Sequence, residues 1–518
     1  ERNMESRTKH GVRNISAGLF NKFLLMVLPF ITRTILNSTL GSEYLGLSSL
    51  FTSILTVLNL TELGFGSALV YSMYRPVSEG NNVKVGALLR VYKRVYTIIG
   101  LVVLPMGILA TPFVPMLIEG DMPRDTNVYI LYLIYVSNTA VSYLLFAYKR
   151  ALLLAYQRYD IATNVNTVVN GLLCIVQSIV LLLFRNYYIY IVFLPICTIL
   201  ENLLTTRAAN KCFPAIKCEG EISKEEKGEI KNHIKGLALQ NICSASRNAL
   251  DSIAISMYLG LHTTAVYNNY FYIMNAVHAI LYQIPNALRA TVGNQIVTQS
   301  QKDNYKMFNS MTILYQWISG WCLCCLMCLY QPFMEIWMGK GMLLPLTTVI
   351  LFGVYFFELC MSDIIALYKD GAGLWWHGKY RTIIEAVANL ILNFTLGYFW
   401  GINGILIATI VTMTLIGHGY GGYIVFRYYF SEERYSSYVT EQLKYFAISA
   451  FVCAVTYCTC MWIPLQGILC LLVRGGICAI IPNVLFFVIL RKHRYFYDAM
   501  ELVKNILGSY IFDKFKKK

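Results

Sequence analysis

Charge is what this sequence has least of. Only 14% of its 518 residues are Asp, Glu, Lys or Arg, against about 25% in a soluble domain. It has no Gly-rich phosphate loop ending in Lys-Ser/Thr and no His-Glu-x-x-His, so the usual nucleotide and zinc-protease signatures are absent. No cleavable signal peptide is expected. Residues 1–22 are charged, and the apolar run that follows is too long for a signal core. The fifteen cysteines do not form a disulfide-scaffold pattern. Most lie inside apolar stretches such as Trp321-Cys322-Leu323-Cys324-Cys325-Leu326-Met327-Cys328, with no His or acidic partner interleaved. They read as small apolar helix residues, and no metal or cofactor is expected.

What is present is apolar sequence. The chain is 57% hydrophobic with a mean hydropathy of +0.53. Apolar stretches of about 20 residues, the length that spans a bilayer, recur from end to end. The fold class expected is all-α, a polytopic membrane protein of about fourteen transmembrane helices. The spans fall near 15–39, 44–74, 84–118, 126–148, 160–184, 187–209 and 233–259, then 263–298, 304–331, 343–368, 378–400, 402–428, 436–462 and 465–490.

The formal net charge of +15 could suggest nucleic acid, but its placement argues for membrane topology. Nearly all of the 43 lysines and arginines fall on one side of the alternating connections. The other side holds only Arg124, Arg185 and Lys340. This is the positive-inside pattern, which puts both termini in the cytoplasm and requires an even number of spans. The outer connections are short. A membrane-embedded polymerase, ligase or glycosyltransferase would need a larger soluble loop bearing carboxylates or basic residues, so no enzymatic activity is expected.

The organisation expected is an N-terminal lobe over 1–210, a cytoplasmic linker over 211–232 and a C-terminal lobe over 233–430. Two more spans follow over 431–491, then a cytoplasmic tail over 492–518. The tail repeats Phe496, Met500, Val503, Leu507, Ile511 and Phe515 at helical spacing, as a helix lying on the inner membrane surface would. Tyr44-Leu45-Gly46-Leu47 recurs as Tyr258-Leu259-Gly260-Leu261, and the same offset lays Arg33 over Arg247. Pairing Leu40-Gly41 with Leu259-Gly260 is equally defensible. Either alignment fits two related six-span halves.

The chain is organised around 14–76, two long apolar helices joined by Leu40-Gly41-Ser42-Glu43. They carry Pro29, Arg33, Asn59, Glu62 and the small-residue run Gly64-Phe65-Gly66-Ser67-Ala68. An ionisable residue inside a membrane helix costs about 2.5–3.5 kcal/mol on insertion scales and usually faces a bundle interior or wet cavity. Arg247 and Asp251 sit one turn apart in span seven, a natural ion-pair spacing. Arg289 follows Gln283, Pro285 and Asn286 in span eight. Glu358 and Asp363, Glu385 and Arg474 lie in spans ten, eleven and fourteen. Each has a structural alternative: Arg33 and Arg289 can snorkel to an interface, Arg247 can pair statically with Asp251, and the acids can make helix–helix contacts. Arginines facing a cavity would instead bind a phosphate or pyrophosphate through bidentate hydrogen bonds.

The stretch from Asn14-Ile15-Ser16 to Arg33-Thr34-Ile35-Leu36, then Leu40-Gly41-Ser42-Glu43-Tyr44-Leu45-Gly46-Leu47 and Glu62-Leu63-Gly64-Phe65-Gly66-Ser67-Ala68, resembles the opening of bacterial polysaccharide-unit flippases. These belong to the multidrug/oligosaccharidyl-lipid/polysaccharide (MOP) exporter superfamily. Asp251, Tyr258-Leu259-Gly260-Leu261 and Val266-Tyr267 resemble the start of that family's second lobe, and Gln331-Pro332-Phe333-Met334-Glu335-Ile336-Trp337-Met338-Gly339 its segment after span nine.

The resemblance implies two six-helix lobes packed as a V, plus two C-terminal helices. It also implies a flippase that moves undecaprenyl-diphosphate-linked oligosaccharide units for capsule, O-antigen or exopolysaccharide across the bacterial cytoplasmic membrane. On that reading Arg33, Arg247 and Arg289, with Glu62, Asp251, Asn59 and Asn286, bind the substrate. The partners expected are that lipid-linked oligosaccharide, membrane lipids and other polysaccharide-assembly proteins, with no nucleic acid. Span two has no arginine, a departure from the cavity arginines of the lipid II flippases. Span one offers Arg33 and no acid, a departure from the drug-exporting branch. A cation-coupled multidrug antiporter is the alternative within the superfamily, and a membrane-embedded glycan polymerase or ligase the alternative outside it.

Overall fold

The structure is a computed structural model that describes residues 2–59, 65–120, 122–123, 126–146, 148–374 and 377–504. Side chains are described throughout these except at 2–20, 67–68, 224, 227, 229, 231–248, 290 and 379. Among the described residues the protein is all-helical. Among the described residues, eight helices are long and apolar enough to cross a membrane, or nine if one bent pair forms a single span. Large apolar side chains such as Leu109, Leu183, Phe399 and Leu472 are exposed on them. Only a hydrocarbon surround makes such surfaces stable, because helices there satisfy their own backbone polar groups. The chain is a multi-pass membrane protein.

The chain divides into two compact units, 1–265 and 266–518. The first contains α1 (Arg2–Thr39), α2 (Ser42–Leu58), α3 (Phe65–Ser78), α4 (Asn82–Ala110) and α5 (Val128–Leu144). It continues through α6 (Tyr148–Ala155), α7 (Tyr159–Phe184), α8 (Tyr187–Cys212) and the first part of α9 (Lys224–Leu281). The sequence pattern gives one helix over 44–74. The structure has α2 and α3 there, with 60–64 between them outside the described residues. Gly41 turns the chain between α1 and α2 at φ 104°, a backbone conformation that only glycine adopts cheaply.

α1 packs along α7, and α5 packs on both α4 and α8. The connection after α8 is held on this unit. Ile216, Ile222 and Ile230 are buried with Leu69, Val85 and Leu152, and Arg90 Nη1 donates to the Gly220 carbonyl at 3.1 Å. Lys84 pairs with Glu226. That ammonium, with the Ser223 backbone N–H, holds the Glu226 carboxyl below its ordinary value.

The second unit begins within α9 and adds α10 (Gln283–Thr298), α11 (Gln301–Met338), α12 (Leu346–Gly371) and α13 (Lys379–Thr412). A π-helical stretch, Met413–Tyr420, runs on into α14 (Gly421–Tyr428), followed by α15 (Tyr435–Met461) and α16 (Gly467–Leu490). The breaks expected near 260 and 401 are present, each at one non-helical glycine that joins two helices; across the second, Asn389 Nδ2 donates back to Thr409 Oγ1 at 3.1 Å. Gly260 has φ 79° and ψ 178°, and Gly401 has φ 57° and ψ −135°. α11 is the hub, packing on α12, α15 and α16. The start of the tail docks on it: Phe496 and Ala499 are buried with Ile313, Tyr445 and Leu490, and Lys306 pairs with Asp498 at 2.9 Å.

Candidate functional site

The polar residues singled out in the sequence divide between the two units. Arg33, Asn59, Arg247 and Asp251 belong to the first, and Asn286 and Arg289 to the second. Glu62 and the Arg247 side chain lie outside the described residues.

Arg33 is half-buried on α1. Its charge reaches Tyr135 of α5 and Tyr190 of α8, two members of a cluster of tyrosines. Tyr135 donates to Ser48 Oγ at 2.9 Å, its hydroxyl lies 3.3 Å from that of Tyr187, and Tyr187 stacks on Tyr190 with centroids 5.5 Å apart. A cation flanked by hydroxyl-tipped rings provides both charge and adaptable hydrogen bonding. Beside it, α1 and α7 enclose an apolar groove lined by Leu28, Ile31, Ile35, Gly171, Ile175 and Ile179. Asn59, half-buried, caps the end of α2. Asp251 is fully buried, and a carboxylate persists there only when paired or hydrogen-bonded.

The two Tyr-Leu-Gly-Leu repeats meet in this unit. A Cβ on Gly46 would lie 2.1 Å from the Leu261 carbonyl oxygen, so the two backbones touch where only glycine fits. Next to that contact Ser42 Oγ hydrogen-bonds His262 Nδ1 at 2.7 Å, and the Glu119 N–H donates to the Ser256 carbonyl at 3.0 Å.

In the second unit, Arg289 and Asn286 are exposed. Arg289 Nη2 donates to the Tyr282 hydroxyl at 3.0 Å, and Nη1 lies 3.8 Å from Asp370. The buried chemistry lies elsewhere, on two histidines that the sequence reasoning passed over. His278 Nε2 is 3.0 Å from Asp363 Oδ2, which also accepts from Tyr315 at 2.7 Å. His418 bridges Glu358 Oε1 at 2.8 Å and the Tyr438 hydroxyl at 2.6 Å. The π-helical stretch carries His418, and such segments often mark functional sites. Arg381 Nη1 donates to the Gly417 carbonyl of the same stretch at 2.6 Å and lies 3.4 Å from Glu385.

Glu358, Asp363 and Glu385 thus make the helix–helix contacts that were one of their expected readings. The signal that could have found their partners was the position of two of only seven histidines inside apolar spans. Imidazole–carboxylate pairs of this kind can hold and pass a proton. Among the described residues, two groups have ligand atoms close enough for a metal ion, His278–Cys360–Asp363 and Cys328–Cys460–Cys478.

No family model matches the chain, and no curated protein matches it. Solved structures do. It is similar to the lipid II flippase MurJ in an inward closed conformation, with a TM-score of 0.66 at 16% identity over 93% of this chain and 99% of that one. It is also similar to an inward-facing multidrug resistance MATE family transporter of the MOP superfamily. There the TM-score is 0.64 at 13% identity, over 80% of this chain and 95% of that one. A third likeness, to a MATE protein in a bent conformation, has a TM-score of 0.55 at 12% identity. The chain has the fold of these transporters. At such identities the likeness carries the fold alone.

Proposed function

We propose that the chain is a flippase that carries undecaprenyl-diphosphate-linked oligosaccharide units across the cytoplasmic membrane by alternating access. The observation that carries this reading is Arg33, a half-buried cation on α1 whose charge reaches Tyr135 and Tyr190, on a helix that also lines an apolar groove. The likeness of fold to the lipid II flippase MurJ over 93% of the chain accords with it. Arg33, Arg247 and Arg289 would attract the diphosphate, with Asp251, Glu62, Asn59 and Asn286 orienting them. Ionised phosphates are too costly to strip of water without partners, and guanidinium forks replace that water while leaving varied sugars unconstrained. The tyrosines around Arg33 suit sugar hydroxyls, and the apolar groove between α1 and α7 suits a prenyl chain. Both termini are cytoplasmic on this reading.

The test is the intermediate that accumulates in a deletion strain. Loss of a flippase leaves undecaprenyl-linked units on the cytoplasmic leaflet, whereas loss of a polymerase leaves single units outside. A second reading, a cation-coupled multidrug antiporter, is favoured by the MATE-like fold at nearly equal TM-score and by the buried His–carboxylate pairs. It requires deletion to sensitise cells to cationic drugs without any change in lipid-linked sugars.

A further inference from the structure

Nine of the fifteen cysteines sit on α11, α15 and α16, three helices that all pack on one another. Their spacing is helical: Cys324 and Cys328 are four residues apart, Cys453 and Cys460 seven, Cys470 and Cys478 eight. Each pair therefore shares one face of its helix. The three faces converge on Cys328, Cys460 and Cys478. All three are buried, and their Sγ atoms lie within 4.8 Å of one another. Three sulfurs around one ion at a metal–thiolate bond length of about 2.3 Å would stand roughly 4 Å apart, so the thiols are already placed for a trigonal set.

The surroundings hold that arrangement. Trp321 Nε1 donates to the Cys478 carbonyl at 2.8 Å, and Trp317 Nε1 to Asn483 Oδ1 at 3.0 Å, both tying α11 to α16. Gln316 Nε2 donates to Ser449 Oγ at 2.8 Å, tying α11 to α15. The contacts are rigid, helix-borne and dry, as a preformed ligand set requires. A second observation points to an anion at this junction. The half-buried Arg474 of α16 donates from Nη1 to the Cys328 carbonyl at 3.4 Å. Its buried Nε has no hydrogen-bond partner among the described residues. A guanidinium beside neutral thiols has nothing to neutralise; beside thiolates it does.

We propose that Cys328, Cys460 and Cys478 form a binding site for a soft, thiophilic metal ion of the Cu(I) class, with Arg474 as its charge partner. Sulfur-only ligation selects such ions over magnesium, calcium or manganese, which prefer oxygen. Structural zinc takes four ligands, and this mutual set has three. Cu(I) bound by two thiolates and a third, protonated sulfur carries one negative charge, which Arg474 offsets. Binding therefore releases two thiol protons and needs no change in oxidation state. The bound ion would cross-link α11, α15 and α16. None of this depends on which substrate the protein carries.

The test uses the full-length protein in detergent, kept anaerobic, titrated with Cu(I) against a colorimetric Cu(I) chelator. The expected result is one Cu(I) per chain that outcompetes the chelator and raises the unfolding temperature. Joint substitution of Cys328→Ala, Cys460→Ala and Cys478→Ala should abolish that binding, and Cys174→Ala with Cys197→Ala should leave it intact. Arg474→Met should weaken it roughly 10–100-fold, the range for groups that support a metal site from outside its ligands. Should the triple variant fail to fold, X-ray absorption on the unsubstituted protein decides, with three sulfurs at about 2.3 Å expected. Parent-like binding by the triple variant, a coordination shell with two or fewer sulfurs, or Zn(II) displacing Cu(I) at equal concentration would each overturn the proposal.

Discussion

Gly46 offers the sharpest test of the packing. A Cβ there would sit 2.1 Å from the Leu261 oxygen, 2.7 Å from its carbonyl carbon and 2.9 Å from its Cα. All three are backbone atoms, so no rotamer change relieves the clash. Ordinary contact begins near 3.4 Å, so Gly46→Ala forces the backbones apart by more than 1 Å. Overpacking of this kind costs about 1–3 kcal/mol, which shifts a conformational equilibrium roughly 5–150-fold. Gly46 and Leu261 both belong to the first unit, so the variant should part the contact there. The readout is a short bifunctional thiol reagent linking Ser42→Cys to His262→Cys, whose native side chains touch at 2.7 Å, with the linked peptide quantified by mass spectrometry. Gly46→Ala should cut the yield at least about fivefold, at the low end of that range, and Gly46→Leu should nearly abolish it. Gly171→Ala, where a Cβ meets nothing within 4 Å, should leave it unchanged. A Gly46→Leu protein that cross-links like its parent would refute the close approach.

Gly86→Val should dislodge the 211–223 connection, because a Cβ there meets the Lys217 oxygen at 2.2 Å; limited proteolysis reads this directly. Lys84→Ala should cost no more than about 1 kcal/mol, since its pair with Glu226 is partly exposed. Because the Glu226 carboxyl is held below its ordinary value, its small contribution is present above roughly pH 4.3 and is lost as pH falls through the depressed value. Protection of 211–223 should therefore be flat from neutral pH down to that range. Glu358→Ala should destabilise the solubilised protein by roughly 3–5 kcal/mol, the cost of stripping one partner from a buried pair. Adding His418→Phe should recover part of that, as thermal unfolding will show. Arg247→Ala should abolish export at near-normal protein level, with Arg247→Lys restoring only part of it, since an ammonium cannot make a bidentate contact. Cysteine labelling should find 211–223 on the cytoplasmic side, and labelling from outside would overturn the topology.

The helical fold was legible because hydrocarbon leaves a chain few options. Runs of apolar residues long enough to span must be helices, and the elements from α4 to α16 fall close to the expected spans. The breaks expected near 260 and 401 were legible too, because each is a glycine that joins two helices in a non-helical conformation. The tail's apolar stripe was visible, but not that Phe496 would be buried against α11 and α15. An amphipathic face looks the same whether a membrane or a protein covers it.

For the polar site, the sequence directed attention to arginine, and the reason is instructive. Arginine cannot shed its charge, so inside a span it looks like the most anomalous residue. Yet a long side chain can reach an interface, and Arg289 is exposed beside Asp370. Histidine is quieter in composition and deeper in the structure. An imidazolium beside a carboxylate has no net charge, and a neutral imidazole beside a carboxylic acid has none either. His278 with Asp363 and His418 with Glu358 can therefore be buried in either arrangement without leaving a lone ion in low dielectric. Adding or removing a single proton leaves one uncompensated charge, and that is the change a buried pair resists and a conformational step can exploit. The two histidine pairs each join helices distant in sequence, tying α12 to α9 and to the π-helical stretch.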